Sequence, residues 1–314
     1  MARPSDSEAA AAAAAYRLGG YVLAAIGAIA FSGKAIIVKL AYRHEVDAVT
    51  LLMYRMLFAM PLFIGMAWWA SRGRAALTRR DWLGVVGLGF TGYYLASYVD
   101  FIGLQYITAG LERLIQYLTP TLVLALGWVL YRKHFTVIQL IALAISYSGV
   151  LLVFGHELWL HGLAKTGGGI GDVAFGALMV FASTVSYAVY LVYSGQMVQR
   201  LGSLRLVGLA SSVACVLCIA QFALLRPLSA AAVAPEVLWL SVLNATLCTA
   251  VPVLIVMMAL ERIGAALATQ IGMIGPLATI LMGVLLLGEP LNAWIVAGTA
   301  LVISGIFLVT RYRS

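Results

Sequence analysis

Residues 104–120, LQYITAGLERLIQYLTP, lie over residues 260–276, LERIGAALATQIGMIGP, when the chain is shifted by 156 positions. Leu104, Ile107, Ala109, Leu111 and Ile115 fall on Leu260, Ile263, Ala265, Leu267 and Ile271, and Pro120 falls on Pro276. The register runs on without a gap. Gly127 meets Gly283, Ser148 and Gly149 meet Ser304 and Gly305, and Leu152 and Val153 meet Leu308 and Val309. Apolar coincidences are common between apolar helices. The proline and the Ser-Gly pair carry more weight, because such residues punctuate the backbone rather than fill space. A fainter echo, at a shift of about 151, pairs Ser32 with Ser183 and Tyr42 with Tyr193.

The composition says what is being repeated. Of 314 residues, 63% are hydrophobic and 10% charged, with a mean hydropathy of +1.00. Soluble domains are roughly half apolar and about a quarter charged, so an ordinary soluble enzyme, a disordered chain and a disulfide scaffold are excluded. A crossing takes about 20 apolar residues, so the length holds about ten. Long apolar runs in lipid must be helical, because no water satisfies an open backbone. The spans are expected near residues 18–40, 48–70, 82–104, 107–130 and 136–154, then 170–194, 203–225, 236–259, 264–287 and 291–310.

Loop charge sets direction. Arg72, Arg74, Arg79, Arg80, Arg132, Lys133, Arg200, Arg205, Arg262, Arg311 and Arg313 share one side with Arg3 and Arg17, whereas Arg43, Lys165 and Arg226 fall on the other. The positive-inside rule then puts both termini in the cytoplasm, and it accounts for the net charge of +8 without a nucleic-acid partner. The fold class expected is an all-α polytopic membrane protein whose ten helices form two inverted five-helix repeats. The copies are opposed because five is odd. Residues 1–17 read as a cytoplasmic tail, 18–154 as the first repeat, 155–169 as a flexible outer linker with Gly167, Gly168 and Gly169, and 170–311 as the second repeat.

The five-span halves, Pro120 and Pro276 in the fourth helix of each, and the Gly288-Glu289-Pro290 turn resemble the EamA branch of the drug/metabolite transporter superfamily. Lys133-His134 stands where the second half has Glu289-Pro290, so the first half departs from that turn. Length and the tyrosine-rich third span look most like bacterial aromatic amino-acid exporters of the YddG type. That resemblance implies ten helices around a central cavity and export of amino acids across the inner membrane.

Charges within spans cost roughly 2.5–3.5 kcal/mol each at mid-membrane on insertion scales, so each asks for a reason. Lys34, Arg55, Asp100, Glu112 and Arg113 all lie in the first repeat, whereas the second offers Asn244, Thr246, Thr249 and Gln270. On one reading Lys34 or Arg55 meets a substrate carboxylate, and Asp100 or Glu112 meets its ammonium or carries a coupling proton. On the other these groups pair with one another and close one side. Tyr94, Tyr98, Phe101 and Gln105 share a helical face, as do Ser183, Tyr187, Tyr190 and Ser194. Both faces are read either as cavity lining or as interhelical hydrogen bonds, since a buried phenol needs a partner. Gln116 precedes Pro120 closely, and Pro120, Pro252 and Pro276 are candidate hinges.

His156, Glu157 and His161 miss the His-Glu-x-x-His spacing, and no phosphate loop occurs, so neither metal nor cofactor is expected. Cys215, Cys218 and Cys248 read as small buried hydrophobes. The expected function is secondary export of aromatic and bulky neutral amino acids by alternating access, as facilitator or proton antiporter. The expected partners are the amino acids and the bilayer, with the chain a monomer. Another metabolite or drug is the rival cargo. A membrane-embedded lipid-headgroup enzyme would need clustered aspartates at an interface, and the acids here are scattered.

Overall fold

The computed structural model describes residues 6–311 except 120–121, 124, 127–128, 130–136, 164–169, 257, 260–261 and 264–273. The described residues are helical throughout and contain no strand. Helices α1 (Asp6–Tyr42), α2 (Ala48–Ser71), α3 (Arg79–Leu88), α4 (Ala96–Gly103) and α5 (Ala109–Gln116) are followed by α6 (Val137–Leu163) and α7 (Ile170–Leu201). Then come α8 (Ser203–Leu225), α9 (Pro235–Ala245), α10 (Ile274–Met282) and α11 (Ala293–Arg311).

Six continuous helical stretches are long and apolar enough to cross a bilayer: Tyr16–Tyr42, Ala48–Ser71, Arg79–Gly103, Gly171–Ser194, Ser203–Leu225 and Pro235–Val256. Shorter apolar helices cover Ala144–His156, Ala278–Leu287 and Ala293–Gly305. The chain is therefore a multi-pass membrane protein.

Two helices run across the boundaries at residues 17 and 155. Helix α1 starts at Asp6, so no break falls at residue 17; the alanine run has the highest helix propensity available. Helix α6 continues to Leu163, well past residue 155 where a linker was expected. Nothing between Phe154 and Leu163 breaks a helix as strongly as the three glycines at 167–169.

The helix from Arg79 to Gly103 and the helix from Pro235 to Val256 each carry a π turn, over Gly89–Leu95 between α3 and α4 and over Thr246–Ala250 after α9. A π turn widens the helix and leaves carbonyls without their usual partner. Thr91 Oγ1 donates to the Gly87 carbonyl at 2.9 Å, and Thr246 Oγ1 donates to the Val242 carbonyl at 2.7 Å. These two threonines are nearly one repeat apart, so the same device recurs in both halves.

Packing follows the repeat. Helix α2 runs along α8, α6 along α11, and α5 against α10. Helix α7 packs on the 79–103 helix, and α1 packs on the 235–256 helix. Each pairing maps onto itself or onto another when the numbering is shifted by 156. Small residues allow the close approaches. A Cβ on Gly208 would lie 2.7 Å from the Ala67 amide nitrogen, and one on Gly298 would collide with Val153 and lie 2.7 Å from the Gly149 carbonyl.

Contacts between helix ends fall into two sets. At one end Arg43 donates to the Leu287 carbonyl at 2.9 Å, Arg226 pairs with Asp47 at 3.1 Å, and the His156 ring stacks on Trp294. At the other, Arg74 donates to the Leu201 carbonyl at 2.6 Å, Arg200 pairs with Asp81 at 3.2 Å, and Arg262 lies over Tyr16. The two sets are the two loop groups that the charge distribution separates. Asp47 also caps α2, accepting from Val49 N and Thr50 N. Partial burial pushes its carboxyl up, but the Thr50 hydroxyl and amide, Arg226 and the Val49 amide outweigh that and hold it below the ordinary carboxylate value.

Candidate functional site

Lys34, Asp100, Glu112 and the part-buried Arg113 are joined through Gln116 in one network, and Arg55 stands beside it. Lys34 Nζ lies 2.6 Å from Asp100 Oδ2 and 3.5 Å from Glu112 Oε1. Glu112 and Gln116 stand one turn apart on the same face of α5. The Gln116 amide nitrogen donates to Glu112 Oε1 at 2.6 Å and to Asp100 Oδ1 at 2.7 Å. Asp100 and Glu112 are almost wholly buried, and Glu112 Oε2 has no partner among the described residues. Arg113 turns toward the second half: it donates to Thr279 Oγ1 at 3.1 Å, to the Phe31 carbonyl at 3.3 Å and to Gln116 Oε1 at 3.2 Å.

Helix α5 is held at its start from both halves. Thr108 Oγ1 accepts from Leu111 N, and Glu289 Oε1 accepts from Ala109 N at 2.9 Å. Glu289 belongs to the Gly288-Glu289-Pro290 turn, where Gly288 takes the left-handed conformation at φ 72° that favours glycine. A Cβ on Gly283 would sit 2.8 Å from Glu289 Oε2. That turn therefore docks the fourth helix of the opposite half.

Arg55 makes a second branch. Its Nε donates to Thr249 Oγ1 at 3.0 Å, its Nη1 reaches Ser97 Oγ at 3.5 Å, and the guanidinium lies 5.3 Å from the Phe101 ring centroid. Thr249 sits in the second π turn and passes its own proton to the Asn244 carbonyl at 2.8 Å. The Asn244 side chain is fully buried with neither polar atom partnered among the described residues.

The tyrosine and serine faces are divided. Tyr94 and Tyr98 stack at 6.5 Å and stay partly buried against the cluster that holds Leu52, Met56 and Cys218. Ser183 Oγ donates to the Ala96 carbonyl at 2.7 Å, and Ser186 Oγ donates to the Thr91 carbonyl at 2.7 Å, so both serve backbone in and beside the first π turn. Tyr190 meets Tyr93 hydroxyl to hydroxyl at 3.2 Å, and Tyr187 stacks on Tyr190. The structure thus brings Lys34, Asp100 and Gln116 together, places Arg55 beside them through Phe101, sets Tyr187 and Tyr190 in a separate cluster with Tyr93, and ties Ser183 to the Ala96 backbone.

Pro252 is buried just after the second π turn, and Pro276 lies within α10. Pro120 and Gln270 lie outside the described residues. Cys215, Cys218 and Cys248 are buried, with Cys215 Sγ 3.9 Å from Met56 Sδ.

Sequence reasoning missed Ser186, Thr279 and the capping role of Glu289. Thr279 had a signal, since it lies one turn beyond Gly275, whose carbonyl accepts its hydroxyl and that of Ser32.

The EamA-like transporter family matches the chain twice, over residues 18–155 and 174–311, again 156 apart. The chain belongs to the EamA-like transporter family. Among similar proteins, the transporter YcbK of Bacillus subtilis strain 168 is 28% identical over 92% of this chain and 91% of its own length. The transporter YetK of the same organism is 24% identical over 93% and 87%. Both carry the description "uncharacterized transporter". A solved crystal structure superposes over 94% of this EamA chain and 96% of its own, with a TM-score of 0.60 at 17% identity, a likeness of fold.

Proposed function

We propose that this transporter exports aromatic and bulky neutral amino acids from a bacterial cytoplasm by alternating access. It would do so as a monomer in the inner membrane, with both termini inside and ten helices in two inverted halves around a central cavity. The observation that carries the reading is the buried network at the seam between halves. It joins α1, α4 and α5 to Thr279 of α10, with Arg55 tied to Thr249. An amino acid brings one carboxylate and one ammonium. Lys34 and Arg55 match the first, Asp100 and Glu112 match the second, and the stacked Tyr94 and Tyr98 rings offer an aromatic surface nearby.

The two sets of helix-end contacts support an even number of crossings, and the shared packing pairs and π turns support two equivalent halves. Counterflow of labelled phenylalanine into liposomes loaded with unlabelled amino acids tests the cargo. Saturable uptake that tryptophan competes away supports it; no exchange by folded, inserted protein refutes it.

A specific observation favours proton antiport over facilitation. Two buried carboxylates share one lysine, and one oxygen of Glu112 has no partner among the described residues. Burying a charge is unfavourable unless it is paired, so that oxygen is suited to hold a proton. Counterflow with and without a pH gradient separates the two modes.

A further inference from the structure

At the arginine-rich end, a cleft of about 310 Å³ opens between the end of α2 and the start of α8. Arg72, Arg74, Arg205, Trp69, Gly202 and Ser203 line it, and none of its lining residues is acidic. The nearby carboxylate of Asp81 is already engaged by Arg200 at 3.2 Å and by the Thr78 hydroxyl at 2.6 Å. Arg205 is buried and held by Ser71 Oγ and the Ala75 carbonyl, each at 3.0 Å. Arg74 is fixed by the Leu201 carbonyl and sits against Gly202, where a Cβ would lie 2.8 Å from Arg74 Nη1. The exposed Arg72 guanidinium stacks 3.5 Å over Trp68. Trp68 and Trp69 stand mostly exposed beside it, the placement of an interfacial aromatic belt.

A second, apolar groove of about 260 Å³ runs along the same helix, lined by Trp82, Leu209, Ser212, Val213, Val216 and Leu217. Its single hydroxyl, Ser212 Oγ, is satisfied by the Gly208 carbonyl at 2.7 Å. Arg205, Leu209, Ser212 and Val216 recur at helical spacing, so one stripe of α8 leads from the arginines roughly 16 Å into the apolar zone.

We propose that this stripe seats an anionic phospholipid, with its phosphodiester on Arg72, Arg74 and Arg205 and an acyl chain along Trp82, Leu209, Val213 and Val216. Charge selects the headgroup. The three arginines outnumber the one nearby carboxylate, Asp81, which Arg200 and Thr78 already engage, and so favour a net anion over a zwitterion, whose own cation would meet them. The groove selects a lipid over a free phosphate, since only a lipid brings a chain to fill it. The site is on the outer surface of α8, apart from the buried network, so it is independent of the cargo.

The test is native mass spectrometry of the purified full-length protein titrated with phosphatidylglycerol, phosphatidylcholine or glycerol phosphate. Phosphatidylglycerol should be retained well above phosphatidylcholine, less so at high salt, and glycerol phosphate should not displace it at equal concentration. Removing two arginines in Arg72→Ala/Arg74→Ala should weaken phosphatidylglycerol binding about thirty-fold. Because Arg74 also holds the Leu201 carbonyl, Arg72→Ala alone is the second variant: it touches only the tryptophan rings and should lose about five-fold. Val216→Trp should weaken binding with all charges in place. Equal retention of the two lipids, displacement by glycerol phosphate, or unchanged binding in Arg72→Ala and Val216→Trp would each overturn the proposal.

Discussion

Lys34→Met keeps most of the stem and removes the one ammonium that two buried carboxylates share. At an effective dielectric of about 20, attraction to Asp100 at 2.6 Å is roughly 6 kcal/mol and to Glu112 at 3.5 Å roughly 5 kcal/mol, gross of desolvation. Most of that is offset by taking the ions out of water, but removing one partner leaves the others buried and uncompensated, which costs about 3–5 kcal/mol. A loss of that size lowers the melting temperature by about 5–8 °C in a chain of this length. Asp100→Asn should cost less, because Lys34 keeps Glu112, and Lys34→Met/Asp100→Asn should recover part of the single-variant loss, because one orphaned charge is gone. Thermal melting of all three variants in one detergent, with phenylalanine counterflow on each, reads both stability and transport. If Lys34→Met melts like the unaltered protein, or if the double variant is the sum of the singles, the three groups do not act as one buried network and the reasoning fails.

Gly298→Leu should separate α6 from α11, since even a Cβ there collides with Val153; an overpacking loss of about 1–3 kcal/mol is expected in the melt. Asp47 has a folded value held below its unfolded one of about 3.9, so its stabilising share is present above that pH and is lost as pH falls through the lower folded value. A melt series should show a drop below about pH 4 that Asp47→Asn reduces, and Asp47→Ala should cost about 1 kcal/mol at neutral pH through the lost helix cap. Tyr190→Phe removes the 3.2 Å contact with Tyr93, whereas Asp100→Asn weakens the charged network. If the two clusters close opposite ends, single cysteines placed at each end should change labelling in opposite directions in these variants; parallel changes would count against alternation.

The outline of the fold was legible because its signals are strong in one dimension. Apolar length gave a multi-pass helical membrane protein, and a 156-residue register gave the repeat that the two family matches share, while the count of ten crossings and their orientation belong to the proposed function. Helix ends were less legible, since the alanines before Tyr16 favour helix strongly and Gly155 and Gly162 do not stop the helix that runs past Phe154. Within the site, Lys34, Arg55, Asp100 and Gln116 were marked by being polar where polarity is unfavourable. What one dimension could not give was partner choice. Ser183 looked like a cavity residue by its face, yet it serves the Ala96 carbonyl, because the π turn next to it frees backbone acceptors that no sequence period announces.

The repeat also explains why the charges are confined to one half. Shifting by 156 carries Lys34 onto Tyr190, Arg55 onto Ser211 and Tyr93 onto Thr249. The position that holds an ammonium between two carboxylates in one half therefore holds a phenol against a phenol in the other. On the proposed inverted scaffold two equivalent positions would face opposite sides of the membrane, so the seam would be closed by ions toward one side and by aromatic contacts toward the other. The tyrosine contacts part with little electrostatic penalty. The ions do not, because separating Lys34 from Asp100 inside the protein leaves both unpaired. On the proposed cycle, the charged end opens only when something replaces the lost partners, and a zwitterion, or a proton on Glu112, is the smallest species that does so. That asymmetry would tie opening on one side to the presence of cargo while leaving the other side free to open empty.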